Sequence, residues 1–171
     1  RVFETLCGMA TNPAAPNRPA DPARRPPSSK TSNEYAIYKP NARGSGGVIR
    51  FDLNKAKESV FVDAATQDGD KHFDWEQKIT MKWGLNDLGT VLAVLQGRTQ
   101  QAKLFHQSEH ANSAFELTVR DDPQRAPYMM SVSRQDGASK SVKKVAIPIT
   151  HAEVAILETA LRSAVIRLLG W

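Results

Sequence analysis

Cysteine is nearly absent from this chain of 171 residues, which has Cys7 alone. A single thiol excludes a disulfide within the chain and a zinc site built from several cysteines, and it fits a reducing compartment or an organelle matrix. Long apolar runs are lacking too, since no stretch approaches the roughly 18 to 20 apolar residues that cross a bilayer. We therefore expect no membrane partner.

Catalytic patterns are equally scarce. His106 and His110 are four residues apart, but they fall across a strand end and a loop rather than on one helix face, where they could ligate a metal together. The glycine-rich segment 44–47 lacks the Lys-Ser/Thr that completes a phosphate-binding P-loop. Asp121 and Asp122 stand at a strand end, where such residues ordinarily cap a turn. We therefore predict no catalytic residue, no metal site, no cofactor and no enzymatic activity.

A large excess of one charge is missing from the part of the chain that we expect to fold. The net charge is +5, of which residues 1–33 carry +3 and residues 34–171 carry +2. Residues 1–33 also hold six of the ten prolines, which predicts a disordered or peripheral tail; a presequence remnant and a plain flexible tail both fit that composition. In the predicted domain, 34–171, a basic surface must come from segregated charge.

A periodic pattern begins at residue 34. Alternating segments bounded by turn residues predict strands at 35–39, 47–53, 59–64 and 73–83, and again at 102–107, 114–121, 128–134 and 141–149. Helical spacing predicts a short helix at about 87–96 and a longer one that starts with a capping box of Thr150 and Glu153 and stops at Gly170. This order predicts an α+β fold of two antiparallel four-stranded sheets, each followed by a helix.

The fourth predicted strand shows how the two faces of such a sheet would differ. Its apolar positions, which we expect to face the core, are Phe73, Trp75, Ile79, Met81 and Trp83, with Gln77 as the one polar interruption. Lys78 and Lys82 fall on the opposite face. The acidic residues Asp74 and Glu76 lie beside them and oppose a uniformly positive surface.

Basic side chains recur on the polar positions of most predicted strands. Lysine and arginine spread across a sheet can follow a phosphate backbone, whereas an ordinary solvated face has the same appearance. Tyr35 or Tyr38, if exposed, would add a stacking surface for unpaired bases. The predicted nucleic-acid-binding residues are Lys39, Arg43, Arg50, Lys78, Lys82, Lys103, Arg120, Arg134, Lys143 and Lys144.

The order of several motifs resembles the Whirly domain, a single-stranded nucleic-acid-binding fold of plant organelles and nucleus. The segments that carry the resemblance are YAIYK, FDW, LNDLGTVL, LFHQS, VAIPITHAEVAIL and the terminal LLGW, which together cover about residues 35–171. The resemblance implies two roughly perpendicular sheets braced by helices, and a tetramer held by helical contacts.

Two departures make the chain more similar to the kinetoplastid mitochondrial RNA-binding proteins, which share that fold. YKPNARGSGGVIRF replaces the plant motif of the first hairpin, and FHQSEHANSAF is a short link. This resemblance implies binding of guide RNA or other single-stranded RNA, annealing of guide RNA to mRNA in RNA editing, a heterotetramer with a related Whirly-fold subunit, and a location in the mitochondrial matrix (kinetoplast). A single-stranded DNA-binding regulator of the plant type is the alternative, and a protein-binding scaffold is a further one.

Overall fold

Successive hairpins build the first half of the fold. The computed structural model describes residues 33–122 and 125–171. Its first five strands are β1 (Glu34–Lys39), β2 (Gly47–Asn54), β3 (Ser59–Gly69), the two-residue β4 (His72–Phe73) and β5 (Ile79–Trp83). Strands β1, β2, β3 and β5 lie side by side in that order, all antiparallel, and β4 pairs with the far end of β3. Helix α1 (Leu85–Leu95) follows directly.

The second half repeats this plan as a four-stranded meander. Its strands are β6 (Gln101–Gln107), β7 (Ala111–Val119), β8 (Tyr128–Asp136) and β9 (Val142–Ile149), each antiparallel to the next. Helix α2 (His151–Leu169) closes the chain. The predicted fold class, two antiparallel sheets each followed by a helix, is confirmed, with β4 as a small addition.

The hydrophobic core lies between the inner faces of the two sheets and both helices. Trp83 of the first sheet is completely buried and meets Phe115 of the second sheet edge-on, with ring centroids 4.6 Å apart. Leu88 of α1 and Leu157 of α2 are buried in the same cluster. Edge-on aromatic pairs stabilise beyond their buried area, by about 0.5–1.5 kcal/mol. This contact therefore helps to fix one sheet against the other.

Local signals set the ends of the helices. The side chain of Thr150 accepts a hydrogen bond from the Glu153 amide, and the Glu153 carboxylate accepts one from the Thr150 amide, as the capping box predicts. Gly170 takes the left-handed conformation at the end of α2, with φ of 76°. Lys39 reaches Glu153 at 2.6 Å, so the end of β1 is tied to the start of α2.

The predicted strand at 73–83 is wrong in its first part. Residues 74–78 form no strand: the Asp74 carboxylate accepts a hydrogen bond from the Gln77 amide and closes a turn there. The loop breaks the alternation, so Phe73 and Ile79 face opposite sides of the first sheet although both stand at odd positions. Phe73 packs against Val48 in a small cluster on the outer face, away from the core.

Two negative findings apply to the described residues, 33–122 and 125–171. Neither helix is both long and apolar enough to cross a membrane. No group of three or more His, Cys, Asp and Glu side chains is placed to hold a metal ion. The predicted tail at 1–33 lies outside the described residues apart from Asn33, and it stays a prediction.

Candidate nucleic-acid interface

Four of the ten predicted cations converge where the two sheets separate. Lys78 directly precedes β5 and Lys82 is the fourth of its five residues, whereas Arg134 and Lys143 come from neighbouring strands of the second sheet. Arg134 and Lys143 are directly opposite each other across the β8–β9 ladder. Both side chains lie on the face of the second sheet that also carries the buried Val132, but they lie nearer the edge of that face, outside the hydrophobic core. We call the groove that these four residues line the inter-sheet cleft.

The inter-sheet cleft consists of two adjoining hollows. The larger one, about 360 Å³, is lined by Lys78, Arg134 and Lys143 among other residues. The smaller one, about 190 Å³, is lined by Lys82, Arg134 and His106. Arg134 lines both hollows, so the two hollows adjoin at this residue and the four cations lie around them. A groove with cations on both walls can hold a phosphate chain between them.

A direct hydrogen bond fixes one wall of the cleft to the other. The ammonium of Lys143 donates to the backbone carbonyl of Gln77 at 2.7 Å, which connects β9 to the loop before β5. Lys82 and Arg134 are exposed, and neither makes an ion pair with a residue that the structure describes. Neither charge is held in a close ion pair, although Arg134 is attracted to Asp136 at longer range.

Two acidic residues, Glu76 and Asp136, line the larger hollow of the cleft, and Asp136 is already hydrogen-bonded within the protein. Asp136 accepts hydrogen bonds from the amides of Ala138 and Ser139 in the β8–β9 turn. These bonds, chiefly the one from the Ser139 amide, hold its pKa below the ordinary value, so the carboxylate is ionised and serves the turn. Glu76 lines the larger hollow and is exposed.

A buried carboxylate organises the outer face of the first sheet next to the cleft. Asp63 is 5% exposed and accepts hydrogen bonds from Arg50 at 2.5 Å, Lys78 at 2.9 Å and Thr80 at 2.6 Å. Burial raises the pKa of Asp63, but these three donors outweigh it and the pKa lies below its usual range. We call these four residues the Asp63 cluster. In it, Arg50 and Lys78 share the single negative charge of Asp63, and Arg50 also lies 3.8 Å from the carboxylate of Glu34.

Trp75 has a different place from the one predicted. Core packing was expected, but Trp75 is half-buried on the outer face, where it packs beside Val48 and Ala65. The guanidinium of Arg50 lies over its ring, 4.8 Å from the centroid. This cation–π contact and the Asp63 cluster together hold Arg50 in one orientation. The prediction failed because the loop at 74–78 changes the face on which Trp75 lies.

The remaining predicted cations are scattered. Lys39 is engaged with Glu153, and Lys103 lies 3.6 Å from Glu116 on the outer face of the second sheet. Lys144 is exposed on that same outer face. The last two predicted cations, Arg43 in the first hairpin and Arg120 just after β7, lie in neither the cleft nor the Asp63 cluster.

The two tyrosines considered for stacking differ in exposure. Tyr38 is 52% exposed and meets Phe73 edge-on, with centroids 5.5 Å apart. Tyr35 packs against the core, and burial raises its pKa. Only Tyr38 keeps the exposure that stacking needs.

Gln67 was not identified from the sequence, yet it holds the hairpin that carries Arg43. Its carbonyl oxygen accepts from the amides of Asn41 and Gly46, and its side-chain amide donates to the carbonyls of Asn41 and Gly69. All four bonds are 2.8–3.1 Å long, and Gln67 is buried. No sequence pattern marks a lone glutamine for this role, because three of its four bonds go to backbone groups of a loop more than 20 residues away.

Comparison with known proteins decides the family. The model of the family described as Whirly transcription factor matches residues 48–160, which is most of the chain. The chain belongs to the Whirly family. Among curated Whirly relatives, the mitochondrial single-stranded DNA-binding protein WHY2 of Arabidopsis thaliana is 26% identical over 193 residues, covering 99% of this chain and 79% of WHY2. The chloroplastic single-stranded DNA-binding protein WHY1 of Solanum tuberosum is 24% identical over 66% of this chain and 42% of WHY1.

Solved structures show the same Whirly fold. WHY1 from Arabidopsis thaliana superposes with a TM-score of 0.68 at 18% identity, covering 84% of this chain and 88% of WHY1. The trypanosome MRP1/MRP2 structure gives a TM-score of 0.59 at 18% identity, covering 85% of this chain and 97% of the matched chain. A guide-RNA-binding protein complex bound to a guide RNA also gives 0.59, at 17% identity, and covers 84% and 96%.

Proposed function

We propose that this Whirly chain binds single-stranded nucleic acid by its phosphate backbone in the inter-sheet cleft. The observation that carries the proposal is the convergence of Lys78, Lys82, Arg134 and Lys143 from two sheets onto one groove. The net charge of residues 34–171 is only +2, so this convergence is a local segregation of charge.

The contacts are expected to be indifferent to sequence. Lysine and arginine that neutralise phosphates release condensed counterions, and each phosphate contact on a single strand contributes roughly 0.7 to the slope of log affinity against log salt. Lys82 and Arg134 make no ion pair within 4 Å among the described residues, although Arg134 is attracted to Asp136, and Lys78 is shared with Asp63. Two to four contacts would therefore give a slope of about −1.4 to −2.8.

The ligand that we assign is RNA, in particular guide RNA. A strand held by its phosphates keeps its bases free for a complementary strand, and its lowered charge reduces the repulsion between them. Annealing of guide RNA to mRNA needs no catalytic group and no cofactor. The assignment is supported by the first hairpin and the short β6–β7 link, which resemble the kinetoplastid proteins, and by the likeness in fold to a guide-RNA complex.

The mitochondrial matrix, including the kinetoplast, and a tetramer with a related Whirly-fold subunit belong to the same proposal. The curated relative that aligns with 99% of the chain is a mitochondrial protein. The exposed surface of α2 supports assembly, since Ile156 and Ile166 are each 53% exposed on one helix.

Single-stranded DNA is the second candidate ligand. The curated relatives are named single-stranded DNA-binding proteins, and the plant structure superposes with the higher TM-score. A DNA-binding regulator would use the same cleft, because the phosphate contacts are common to both polymers. Only contacts to the 2′-hydroxyl distinguish RNA from DNA at a given site.

Competition between strands tests both candidates. A labelled single-stranded RNA bound to the full chain is displaced with unlabelled RNA or DNA of equal length and sequence. Preference for RNA, with faster annealing of a complementary RNA pair when the chain is present, is the expected result. Preference for DNA without annealing would favour the regulator, and failure to bind either strand at low salt would overturn the proposal.

A further inference from the structure

A serine hydroxyl lies among the cations of the larger hollow of the inter-sheet cleft. Ser141, in the turn between β8 and β9, lines that hollow together with Lys143 and Arg134. Its carbonyl accepts a hydrogen bond from the Asp136 amide at 2.9 Å, which continues the β8–β9 ladder by one pair. Ser141 and Lys143 are two positions apart in an extended chain, so their side chains point to the same side.

The β8–β9 turn does not depend on the Ser141 hydroxyl. Asp136 holds the turn by accepting hydrogen bonds from the amides of Ala138 and Ser139 and from the Ser139 hydroxyl. Among the described residues, the Ser141 hydroxyl has one hydrogen-bond partner, the Ser139 hydroxyl at 2.8 Å. Ser141 is also exposed. A group added to its oxygen therefore leaves the turn in place.

The residues around Ser141 are basic. Lys140 precedes it, and Lys143 and Lys144 follow it after one valine. Substrate sites of kinases that select basic residues are acidic, so lysines on both sides of a serine complement them in charge. Ser141 thus combines an exposed hydroxyl with a sequence that such a kinase recognises.

A phosphate at Ser141 would reverse the sign of the charge in the larger hollow. The ionic side chains that line the hollow are three cations and two carboxylates, with a balance of +1: Lys78, Arg134, Lys143, Glu76 and Asp136. A phosphoserine carries a charge of about −1.5 to −2 at pH 7. The balance then becomes about −0.5 to −1, and a hollow that attracts a phosphate backbone repels it.

Resting on the proposed function, we propose that Ser141 is a phosphorylation site and that its phosphate closes the larger hollow to nucleic acid. The phosphate oxygens accept charge-assisted hydrogen bonds from Lys143 and Arg134, in place of a phosphate of the strand. The modified side chain is therefore a competitor of the ligand that belongs to the chain itself.

The modification is an ordinary phosphoryl transfer from a nucleoside triphosphate, catalysed by a kinase. The Ser141 oxygen attacks the γ-phosphorus, and the bond from that phosphorus to the β–γ bridging oxygen breaks. The nucleoside diphosphate leaves with the electron pair of that bond, and the hydroxyl proton passes to a base of the kinase.

Binding by a chain with phosphoserine incorporated at Ser141 tests the effect on the cleft. Titrations of a single-stranded RNA over a salt series are compared with those of the unmodified full chain. We expect the slope of log affinity against log salt to become shallower by about 1.4, because Arg134 and Lys143 are neutralised, and the affinity at low salt to fall at least ten-fold. Phosphatase treatment should restore both values, which excludes damage to the fold. Ser141→Glu, with one charge, should weaken binding less.

Phosphoserine in place of Thr99 is the matched control. Thr99 is exposed between α1 and β6 and lines neither hollow of the cleft. Its phosphate adds the same charge, but salt screens it over about 8 Å at physiological ionic strength, so the affinity should change less than about three-fold. An equal loss from both positions would show an effect of overall charge and overturn the inference.

The outcomes for the cleft and for the modification are distinguishable. Unchanged or tighter binding by the Ser141 phosphoprotein, while the unmodified chain binds, would overturn this inference alone. If the unmodified chain binds no strand, the proposed function falls and this inference falls with it.

Access of a kinase to the turn is tested on the full chain. A kinase that phosphorylates Ser141 in a synthetic peptide of residues 134–146 is incubated with the full chain and ATP, and the modified residue is located by mass spectrometry. We expect a phosphate on Ser141 of the full chain and none at position 141 in Ser141→Ala. Absence of the phosphate from Ser141 of the full chain would overturn the assignment of Ser141 as a modification site.

Discussion

Replacing Asp63 with asparagine is expected to move stability and nucleic-acid affinity in opposite directions. The carboxylate is 5% exposed and accepts hydrogen bonds from Arg50, Lys78 and Thr80. Asparagine keeps the size of the side chain but removes its charge. Lys78 then has no carboxylate within 4 Å among the described residues, while Arg50 keeps only Glu34, at 3.8 Å. The protein loses a buried ion pair, and the cleft gains the free charge of Lys78.

The size of each effect follows from the exposure of the partners. Breaking a fully buried ion pair costs about 3–5 kcal/mol. The side chains of Arg50 and Lys78 are 30% and 37% exposed, so water recovers part of that energy, and we expect a loss of about 2 kcal/mol. For a domain of this size the midpoint of thermal unfolding should fall by about 8 °C.

Binding should respond in the other direction. Lys78 lines the inter-sheet cleft, and once released from Asp63 it can neutralise a phosphate of its own. The salt slope should then become steeper by about 0.7 and the affinity at low salt should rise several-fold. Calorimetry and a salt series of binding titrations on the same preparation measure both quantities.

Asp52→Asn is the matched control for Asp63→Asn. Asp52 lies on the same outer face, two residues after Arg50, and it makes no ion pair within 4 Å among the described side chains; it attracts Arg50 only at longer range. Asp52→Asn removes one negative charge, as Asp63→Asn does, but it should change the free energy of unfolding of the protein little. Equal stability of Asp63→Asn and wild type, or weaker binding by Asp63→Asn, would refute the role assigned to the Asp63 cluster.

Three further predictions concern the Asp63 cluster, the start of α2 and the first hairpin. The pKa of Asp63 lies below its ordinary value of 3.8, so its stabilisation is complete above about pH 4 and is lost as the pH falls through the lower folded-state pKa; acid unfolding of Asp63→Asn should therefore be less steep than that of wild type. Thr150→Ala should cost about 1 kcal/mol in thermal unfolding through loss of the N-cap, whereas Thr159→Ala on the same helix should cost less. Gln67→Met should speed hydrogen exchange of the Asn41 and Gly46 amides, and unchanged exchange would contradict its role.

Local rules accounted for the elements of the fold. Alternating apolar residues identified most strands, and Thr150 with Glu153 marked the start of α2, because both signals depend on residues close in sequence. The outer-face position of Trp75 was missed because the turn made by Asp74 and Gln77 reverses the phase. In the sequence, this turn is indicated only by Gln77, the one polar residue among the apolar positions from Phe73 to Trp83.

The candidate site depended on information that spacing does not contain. Arg50 and Asp63 are directly opposite in the β2–β3 ladder, and this register follows only once the hairpin pairing of Asn54 with Ser59 is known. Lys78 and Arg134 meet in the cleft because of how the two sheets pack, although they are 56 positions apart. The sequence therefore supplied the right residue types on the strands, while the partners and the grouping required the fold.

The proposed role of the inter-sheet cleft is tested most directly by the salt dependence of binding to two unrelated single-stranded RNA sequences. We expect the double substitution Lys82→Ala with Arg134→Ala to reduce the slope of log affinity against log salt by about 1.4, equally for both sequences. The control is Arg98→Ala, which removes an exposed cation between α1 and β6, outside the cleft, and should reduce the slope by less than half of that amount. An unchanged slope in the double variant, or a loss confined to one sequence, would contradict phosphate-led binding in the cleft.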